Sequence, residues 1–173
     1  MMFTGYRGAA RIGEGGLGRV YRAVRDSTGG IVAIKELHEV PSASPAWHRA
    51  KRELEAMLRL KGHPYVVSVE EIFESATGPC LVMEYLEGGA LMQWIERRGP
   101  LSTAEAVLVG VQVTQALGAA HEVGVIHRDI KPHNLLVGSF GQVKVADFGI
   151  AALTRQSGLH TRTQAFTLAY ASP

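Results

Sequence analysis

The sequence predicts an α+β fold in which five antiparallel strands and one helix precede a mainly helical second region. Alternating apolar residues between glycine turns fill the first third of the chain, as expected for half-buried strands. After the tripeptide Glu-Gly-Gly at 87–89 the apolar residues recur at helical spacing instead. We therefore expect a β-rich lobe over 1–86 and a helical lobe over 87–173, joined by a glycine hinge.

Five short segments account for the sheet. The first three alternate around the Gly29-Gly30 turn and predict an antiparallel meander over 6–12, 19–24 and 31–37. Two further apolar runs, "YVVSVEEIF" and "CLVMEYL", supply the other strands. One helix interrupts the sheet between these groups, with Ser44 as its N-cap and Pro45 as its first residue.

Two helices are predicted after the hinge. The first covers 90–98 and is stopped by a Gly-Pro pair. The second opens at Ser102 and Glu105, which have the S-x-x-E spacing of a capping box, and ends near Gly124. Its apolar stretch contains Gln112, so we expect a buried core helix and not a membrane span.

Composition narrows the class of protein. With 46% apolar and 20% charged residues among 173, the chain has the balance of an ordinary globular protein. The net charge of +2 and the scattered basic residues argue against a nucleic-acid partner. Cys80 is the only cysteine, which excludes an intrachain disulfide and suits a reducing cytosol. The N-terminus does not resemble a signal peptide, so we expect a cytoplasmic protein.

The stretch "NLLVGSFGQVKVAD" predicts a metal site. If 135–137 and 143–145 pair as a hairpin turned at "GSFG", the residues just outside the two strands, Asn134 and Asp147, come together. Two neighbouring oxygen donors suit a hard divalent cation that takes its other ligands from phosphates and water. We therefore expect Asn134 and Asp147 to bind Mg²⁺.

Asp129 and Lys131 precede this hairpin on one loop, and Pro132 fixes the backbone that follows them. An aspartate near a metal-bound phosphate can orient a hydroxyl and accept its proton, and a neighbouring lysine can offset charge on the transferred group. Each residue alone fits an ordinary polar loop better. The whole set at this spacing favours phosphoryl transfer.

The segment "IGEGGLGRV" predicts a loop that covers phosphates. Gly13, Gly15 and Gly18 form G-x-G-x-x-G, a pattern that also opens the helix of dinucleotide-binding folds. The residues after Gly18 alternate like a strand, which favours a flap between two strands and argues against a dinucleotide-dependent oxidoreductase. For this motif alone, a turn without a ligand stays the alternative.

Lys35 in "IVAIKEL" lies on the strand face that carries Ala33. A charged side chain there needs a partner, and Glu53 on the following helix lies on a face with apolar neighbours. We expect a Lys35–Glu53 ion pair that holds the ammonium group against the phosphates of a nucleotide. Glu55 and Glu36 are alternative partners, and a solvated surface pair is the alternative to any such role.

Together these motifs resemble those of eukaryotic-type protein kinases. The glycine loop reads "GEGGLGRV", the lysine lies in "VAIK", the catalytic loop is "HRDIKPHN" and the metal motif is "DFG". The stretches "GVIHRDIKPHNLLV" and "KVADFGIA" resemble bacterial Hanks-type serine/threonine kinases in particular, and Lys131 and Thr167 are typical of the Ser/Thr class. The resemblance implies a two-lobe protein-kinase-like fold with an incomplete helical C-lobe, and transfer of the γ-phosphoryl group of Mg-ATP to protein Ser/Thr hydroxyls.

The resemblance also implies a role for each site residue. Asp129 would be the catalytic base, Lys131 would lie beside the transferred phosphate, and Lys35 would contact phosphates while paired to Glu53. ATP and Mg²⁺ are the implied cofactors, with the two hairpin residues as metal ligands. The implied ATP-binding residues form the glycine loop, the adenine pocket, the gatekeeper and the hinge: Ile12, Gly13, Glu14, Gly15, Gly16, Leu17, Gly18, Val20, Ala33, Lys35, Met83, Glu84, Tyr85, Leu86 and Leu136.

Packing and regulation follow from the same resemblance. Arg128 matches kinases in which a phosphate orders the activation segment by pairing with this arginine, and Thr161 and Thr163 are the candidate phosphorylation sites. The implied partners are protein substrates with Ser/Thr, and autophosphorylation or self-association. Four residues match those that stack between the lobes in active kinases: Met57, Val69, His127 and Phe148.

The sequence departs from the family pattern in places. His133 stands where a Glu is usual, and Phe166 where a Gly is usual. The match ends at "ASP", 171–173, before the Glu of the A-P-E motif. Apolar residues of the helix opened at Ser102 would then face water, which predicts marginal stability or self-association. A truncated non-catalytic nucleotide-binding or interaction module is therefore the alternative function.

Overall fold

The computed structural model describes residues 3–15, 18–38 and 44–148. Their strands form a five-stranded antiparallel sheet in the order β1-β2-β3-β5-β4, and a separate two-stranded hairpin. The sheet consists of β1 (Tyr6–Gly15), β2 (Gly18–Arg25), β3 (Ile31–Leu37), β4 (Val69–Ser75) and β5 (Gly78–Glu84), and the hairpin of β6 (Leu135–Val137) and β7 (Val143–Val145).

The five predicted strands are confirmed, and the first two are longer than expected. β1 and β2 continue through the glycine motif until Gly15 pairs with Gly18. Position 18 requires glycine, because a Cβ atom there would lie 1.9 Å from the Glu36 carbonyl oxygen of the neighbouring strand. The motif therefore closes a hairpin and does not open a helix, as the alternation after Gly18 predicted.

The described helices are α1 (Pro45–Met57), α2 (Leu91–Arg98) and α3 (Thr103–Glu122). The first and third begin at their predicted caps, and α2 begins one residue later than expected, after Ala90. Ser44 Oγ accepts a 3.1 Å hydrogen bond from the Trp47 N–H group at the start of α1. Ser102 and Glu105 form the expected capping box in both directions at the start of α3. Gly99 ends α2 with a φ of 89°, in the left-handed region that favours glycine.

Both faces of the sheet are buried. One face forms a small aromatic cluster, in which Phe3 meets Tyr21 edge-on with ring centroids 5.2 Å apart. The other face packs against α1 and continues through the hairpin to α3 as one large apolar core. Because this core is continuous, the β-rich and helical regions are packed against each other and not merely tethered. Its most deeply buried members include Trp47, Leu54, Met57, Leu81 and Val145.

Strand β7 holds the two regions together. Val145 is fully buried, its N–H group donates to the Tyr65 carbonyl oxygen, and its own carbonyl oxygen accepts from the Val67 N–H group, both at 2.9 Å. At the start of the strand, the Val143 N–H group donates to Gln112 Oε1 of α3 at 2.8 Å. This bond explains why a glutamine lies in the apolar stretch of α3, since a buried backbone donor needs a partner.

The expectation of a buried core helix is wrong for the outer side of α3, which is apolar and exposed, as the sequence departure at 171–173 predicts. Val107, Leu108 and Val111 are 62%, 56% and 47% exposed, whereas Ala116 and Ala120 on the inner side are buried. Within the described ranges, no helix is both long and apolar enough to cross a membrane. The helix therefore packs along one side only.

Candidate functional site

His127 fixes the loop that carries the predicted catalytic residues. Its imidazole is buried, with Nε2 2.7 Å from the Ala146 carbonyl oxygen and Nδ1 accepting a 3.2 Å bond from the Asp129 N–H group. Because Nδ1 accepts, the ring proton must lie on Nε2, so both bonds require the neutral imidazole. Burial lowers the pKa of His127, which favours the same neutral form.

Three of the predicted site residues meet at Asp129. Lys131 Nζ lies 2.7 Å from Asp129 Oδ2, and Asn134 Nδ2 donates to the same oxygen at 3.1 Å and to the Asp129 carbonyl oxygen at 2.8 Å. Asp129 Oδ1 is buried and has no hydrogen-bond partner in the described part of the chain. One carboxylate oxygen is thus fixed by two donors, while the other is an unengaged acceptor.

The predicted hairpin is confirmed and brings Asn134 and Asp147 to its open end. Leu135 pairs with Val145, and the Ala146 N–H group donates to the Asn134 carbonyl oxygen at 2.8 Å, which extends the ladder to the two residues. Asp147 has a φ of 64°, in a region that non-glycine residues rarely adopt. Backbone strain of this kind is typical of functional sites.

The predicted Lys35–Glu53 ion pair is not formed in the described structure. Lys35 Nζ instead lies 2.6 Å from Asp147 Oδ2, with side-chain exposures of 10% and 30%. Glu53 Oε1 pairs with Arg128 Nη1 at 3.3 Å, and Glu53 Oε2 is buried with no partner among the residues described. The physical reason is that a partly buried carboxylate needs a cation beside it, and each carboxylate pairs with the cation that lies nearest. Asp147 therefore pairs with Lys35, and Glu53 pairs with Arg128.

Neither alternative partner of Lys35 replaces Glu53. The Glu36 carboxylate lies on the other face of β3, where it accepts hydrogen bonds from Thr77 Oγ1 and from Tyr21 OH and contacts His38 Nε2. Glu55 is exposed on α1. The alternation of β3 therefore correctly predicted that Lys35 and Glu36 lie on opposite faces of the strand. The residues that share a face of α1 did not identify the partner of Lys35.

The donor set at the open end of the hairpin fits a hard divalent cation. The Asn134 amide nitrogen donates to Asp129, so Asn134 Oδ1 points away from Asp129 and is available as a metal ligand. Asp147 uses Oδ2 for Lys35 and retains Oδ1 as a second oxygen donor. Two such oxygens leave positions for phosphate and water ligands, as Mg²⁺ requires. The Lys35 ammonium group beside Asp147 shows that positive charge is accommodated here.

The glycine loop is described at both ends. Glu14 forms ion pairs with Arg11 at 2.8 Å and with Arg19 at 3.1 Å, and the hydrogen bond from Arg19 lowers the pKa of its carboxyl group. Gly16 and Leu17, at the tip, lie outside the described residues. The Glu14 side chain is therefore engaged by the hairpin itself.

The residues predicted to surround adenine come from both sides of the hinge. Val20 lies on β2, Ala33 on β3 and Leu136 on β6. Ala33 is buried beside its cross-strand partner Met83, whereas Ile12 in β1 is 51% exposed. Ala33 and Met83 belong to the large apolar core, and Val20 and Leu136 pack against it.

The predicted hinge, residues 84–86, begins at the last residue of β5. The Glu84 N–H group donates to the Ser68 carbonyl oxygen at 3.0 Å, and the Leu86 carbonyl oxygen accepts from the Gly89 N–H group at 3.4 Å. The Tyr85 ring lies under an arginine guanidinium of β2, 5.5 Å from the ring centroid. Within the described ranges the Leu86 N–H group has no hydrogen-bond acceptor.

The four residues expected to stack between the lobes are all buried. His127 and Phe148 meet edge-on with ring centroids 4.7 Å apart. A narrow cavity beside Phe148 is lined by Met57, Val69 and the Asp147 side chain. Phe148 therefore points into the core, while Asp147 next to it faces Lys35.

Sequence analysis missed an ion pair beside the hinge. Lys144 Nζ lies 2.8 and 2.9 Å from the two carboxylate oxygens of Glu84, and Glu84 Oε1 also accepts a 2.7 Å bond from the Ser68 N–H group. A signal was present in the sequence, because Lys144 is the middle residue of the apolar strand "VKV", where a lysine needs a buried partner. The sequence did not show which carboxylate was that partner, because Glu84 lies far from Lys144 along the chain.

A five-stranded sheet with a glycine hairpin, followed by a hinge and a charged loop beside a strained aspartate, is typical of the protein-kinase class. In agreement, the family model described as "Protein kinase domain" matches residues 6–173. The chain belongs to the protein kinase family.

Named relatives are serine/threonine kinases. The chain is 40% identical over 164 residues to the serine/threonine-protein kinase PknK of Mycobacterium tuberculosis, covering 94% of this chain and 14% of PknK. It is 38% identical over 164 residues to the serine/threonine-protein kinase PrkC of Bacillus subtilis, covering 94% of this chain and 25% of PrkC. The chain thus spans a quarter or less of the length of these relatives.

A solved structure shows the same fold. The crystal structure of Rad53 1–466 in complex with AMP-PNP has a TM-score of 0.74 and 28% sequence identity, over 86% of this chain and 39% of that one. The expected kinase-like fold and the resemblance to Hanks-type serine/threonine kinases are therefore confirmed. The candidate phosphorylation sites Thr161 and Thr163, like Thr167, lie outside the described residues, and the roles of individual site residues stay predictions.

The neutral His127 predicts a pH dependence of stability. Burial lowers its pKa in the folded chain, so the unfolded chain binds a proton first as the pH falls below the ordinary histidine value of about 6.5. This contribution to the free energy of unfolding is fully present above that pH and is lost as the pH falls towards the folded-state pKa. We expect the urea midpoint to decrease between about pH 7.5 and about pH 5.5.

The substitution His127→Gln removes this titration while keeping a hydrogen-bond donor. The variant should be less stable at neutral pH, and its urea midpoint should decrease less steeply over the same pH range. A midpoint that falls equally steeply in both proteins would contradict the assignment.

Proposed function

We propose that this chain is the ATP-binding and catalytic region of a serine/threonine protein kinase, which transfers the γ-phosphoryl group of ATP to a hydroxyl group of a protein. The observation that carries the proposal is the geometry at Asp129, where one carboxylate oxygen is fixed by Lys131 and Asn134 and the other is buried without a hydrogen-bond partner among the described residues. An aspartate oxygen that has no partner in the described part of the chain is available to accept a proton from a hydroxyl group.

In the proposed reaction, Asp129 Oδ1 orients the attacking hydroxyl group and accepts its proton as the hydroxyl oxygen bonds to phosphorus. The bond between phosphorus and the bridging oxygen breaks, and ADP leaves with the electron pair. Lys131, 2.7 Å from Asp129 Oδ2, offsets negative charge on the transferred group. The proton on Asp129 then passes to solvent.

Asn134 and Asp147 are the proposed ligands of Mg²⁺, and Lys35 is the proposed contact of the α- and β-phosphates. When bound, Mg²⁺ supplies charge neutralisation at the phosphate oxygens. Lys35 is suited to its role because its ammonium group is already held at the site by Asp147. The glycine loop over 13–18 would cover the phosphates with its backbone.

The adenine ring is proposed to lie between Ala33 and Leu136. The Leu86 N–H group and the Glu84 carbonyl group would bind its edge, in a pocket that is mostly apolar with a few fixed polar groups. The unengaged Leu86 donor supports this placement. We also propose that the nucleotide-binding lobe ends at Leu86, where the turn into α2 begins.

The proposal extends to partners and compartment. Protein Ser/Thr residues would be the substrates, and the exposed apolar side of α3 would support self-association, which brings two copies together for autophosphorylation. A cytoplasmic site of action follows from the need for ATP and agrees with a single cysteine, Cys80, whose thiol pKa is raised by burial.

Arg128 offers a means of regulation. It is paired with Glu53 at 3.3 Å, at a partly exposed position. A phosphate on Thr161 or Thr163 would compete for the guanidinium group through stronger, charge-assisted hydrogen bonds. Glu53 would then be released to pair with Lys35, as kinase activity requires. We propose that the described arrangement precedes activation.

The substitution Asp129→Asn tests the catalytic role. It removes the proton acceptor, and phosphoryl transfer should fall by about 10²- to 10⁴-fold, while ATP affinity stays within about twofold because Asp129 acts on the hydroxyl and not on the nucleotide. The measurement is transfer of labelled γ-phosphate to a generic basic protein, with a parallel ATP titration. Asp26→Asn is the matched control, since Asp26 lies in an exposed ion pair with Arg7 and should not affect transfer. Parent-level transfer by Asp129→Asn would contradict the proposal.

The substitution Glu53→Gln tests the regulatory exchange. In phosphatase-treated protein, Glu53 is paired with Arg128, so residual transfer should change by less than about twofold. In phosphorylated protein it should fall by about tenfold or more, because Lys35 then loses its partner. Glu55→Gln, at an exposed position of the same helix, is the control. An equal loss in both forms would contradict the exchange.

A further inference from the structure

We infer that Lys144 is a positioning residue for nucleotide binding: its ion pair with Glu84 fixes the hinge relative to the β6–β7 hairpin and so sets the width of the adenine site. This inference rests on the proposed function, because it assigns a residue outside the kinase motifs to the same nucleotide site. Four observations support it: the geometry of the ion pair, its burial, the strand register, and the separate hydrogen bonds that hold the proposed metal ligands.

The geometry links three separate segments. Lys144 Nζ bonds both carboxylate oxygens of Glu84, at 2.8 and 2.9 Å. Glu84 Oε1 also accepts from the Ser68 N–H group at 2.7 Å, and the Glu84 N–H group donates to the Ser68 carbonyl oxygen at 3.0 Å. Glu84 is therefore bonded through both its backbone and its side chain, and cannot turn without breaking several hydrogen bonds.

The pair is partly shielded from water. The side chains of Lys144 and Glu84 are 11% and 24% exposed, and the neighbouring Ser68 is buried. The nearby His63 has a pKa lowered by burial and by the positive charge of Lys144. Removing one partner of a buried ion pair leaves the other uncompensated, so each side chain constrains the position of the other.

The strand register connects this pair to the adenine site. Lys144 is the direct cross-strand partner of Leu136, and direct partners in an antiparallel pair project to the same face. Leu136 is the proposed floor of the adenine pocket, and Glu84 is the first residue of the proposed hinge. The ion pair thus joins the floor of the pocket to its edge.

The metal side of the site is held independently. The Asp147 end of β7 is fixed by the hydrogen bonds of Val145 to Tyr65 and Val67 and by the Ala146–Asn134 bond. Loss of the Lys144–Glu84 pair should therefore loosen the adenine site and leave the metal ligands in place. A variant without the pair should therefore bind adenine more weakly but transfer phosphate at a nearly unchanged rate. A variant that had lost its structure would lose both.

The test compares adenosine with Mg·ATP as ligands of the 173-residue chain, by titration calorimetry. Lys144→Met should weaken both by the same factor, about tenfold, and raise the KM for ATP with kcat within about twofold. Lys35→Met, which removes a proposed phosphate contact, should weaken Mg·ATP but not adenosine. Lys144→Arg keeps the charge and should restore most of the affinity.

Two further variants keep the result interpretable. Glu84→Gln keeps the shape of the hinge side chain, should show the same loss, and carries the test if Lys144→Met does not fold. Arg7→Met breaks an exposed ion pair and should change neither affinity. Parent-level adenosine affinity in the folded Lys144→Met or Glu84→Gln protein would overturn the inference, as would a loss confined to Mg·ATP. A parent chain that binds neither ligand would instead overturn the proposed function.

Discussion

The candidate site depends on the hydrogen bonding of β7 along both of its edges. One edge pairs with β6, and the other is bonded at Val145 to Tyr65 and Val67, in the segment that leads into β4. Since a buried backbone group without a partner is costly, Val145 cannot shift without losing both bonds. The strained backbone of Asp147, two residues further on, is held by this constraint.

The charges of the site are arranged in pairs that a nucleotide would rearrange. Three carboxylates each lie beside one cation, in the pairs Lys35–Asp147, Lys131–Asp129 and Arg128–Glu53. Partly buried carboxylates of this kind need compensation, and the partner is whichever cation lies closest. Phosphates and a divalent cation would introduce stronger charges, so Lys35 and Asp147 are the groups expected to exchange partners first. The fold places these charged side chains close together, and the phosphates and the cation would determine which of them pair.

Local signals in the sequence were sufficient for most of the fold and for the catalytic loop. The caps at Ser44 and Ser102, the glycine hairpin and the β6–β7 hairpin each depend on residues close together in the chain, and all are confirmed. Asn134 and Asp147 could be placed together because a hairpin converts spacing into proximity.

The partners of the lysines could not be predicted in the same way. Lys35 had several carboxylates within plausible reach, and the choice between Glu53 and Asp147 depends on where α1 packs, which periodicity does not determine. Lys144 and Glu84 are sixty residues apart, and their pair exists only once the hairpin lies below the hinge. The buried Gln112 is similar, because its partner is a backbone group of β7.

The central claim is that the hairpin places Asp147 to hold the cation that accompanies ATP. The most direct measurement is the affinity for ATP with Mg²⁺ and with EDTA, in the parent chain and in Asp147→Asn. Mg²⁺ should strengthen ATP binding to the parent and have little effect on the variant, since one of the two proposed protein ligands of the cation is lost. An equal effect of Mg²⁺ on both proteins would show that Asp147 does not hold the cation.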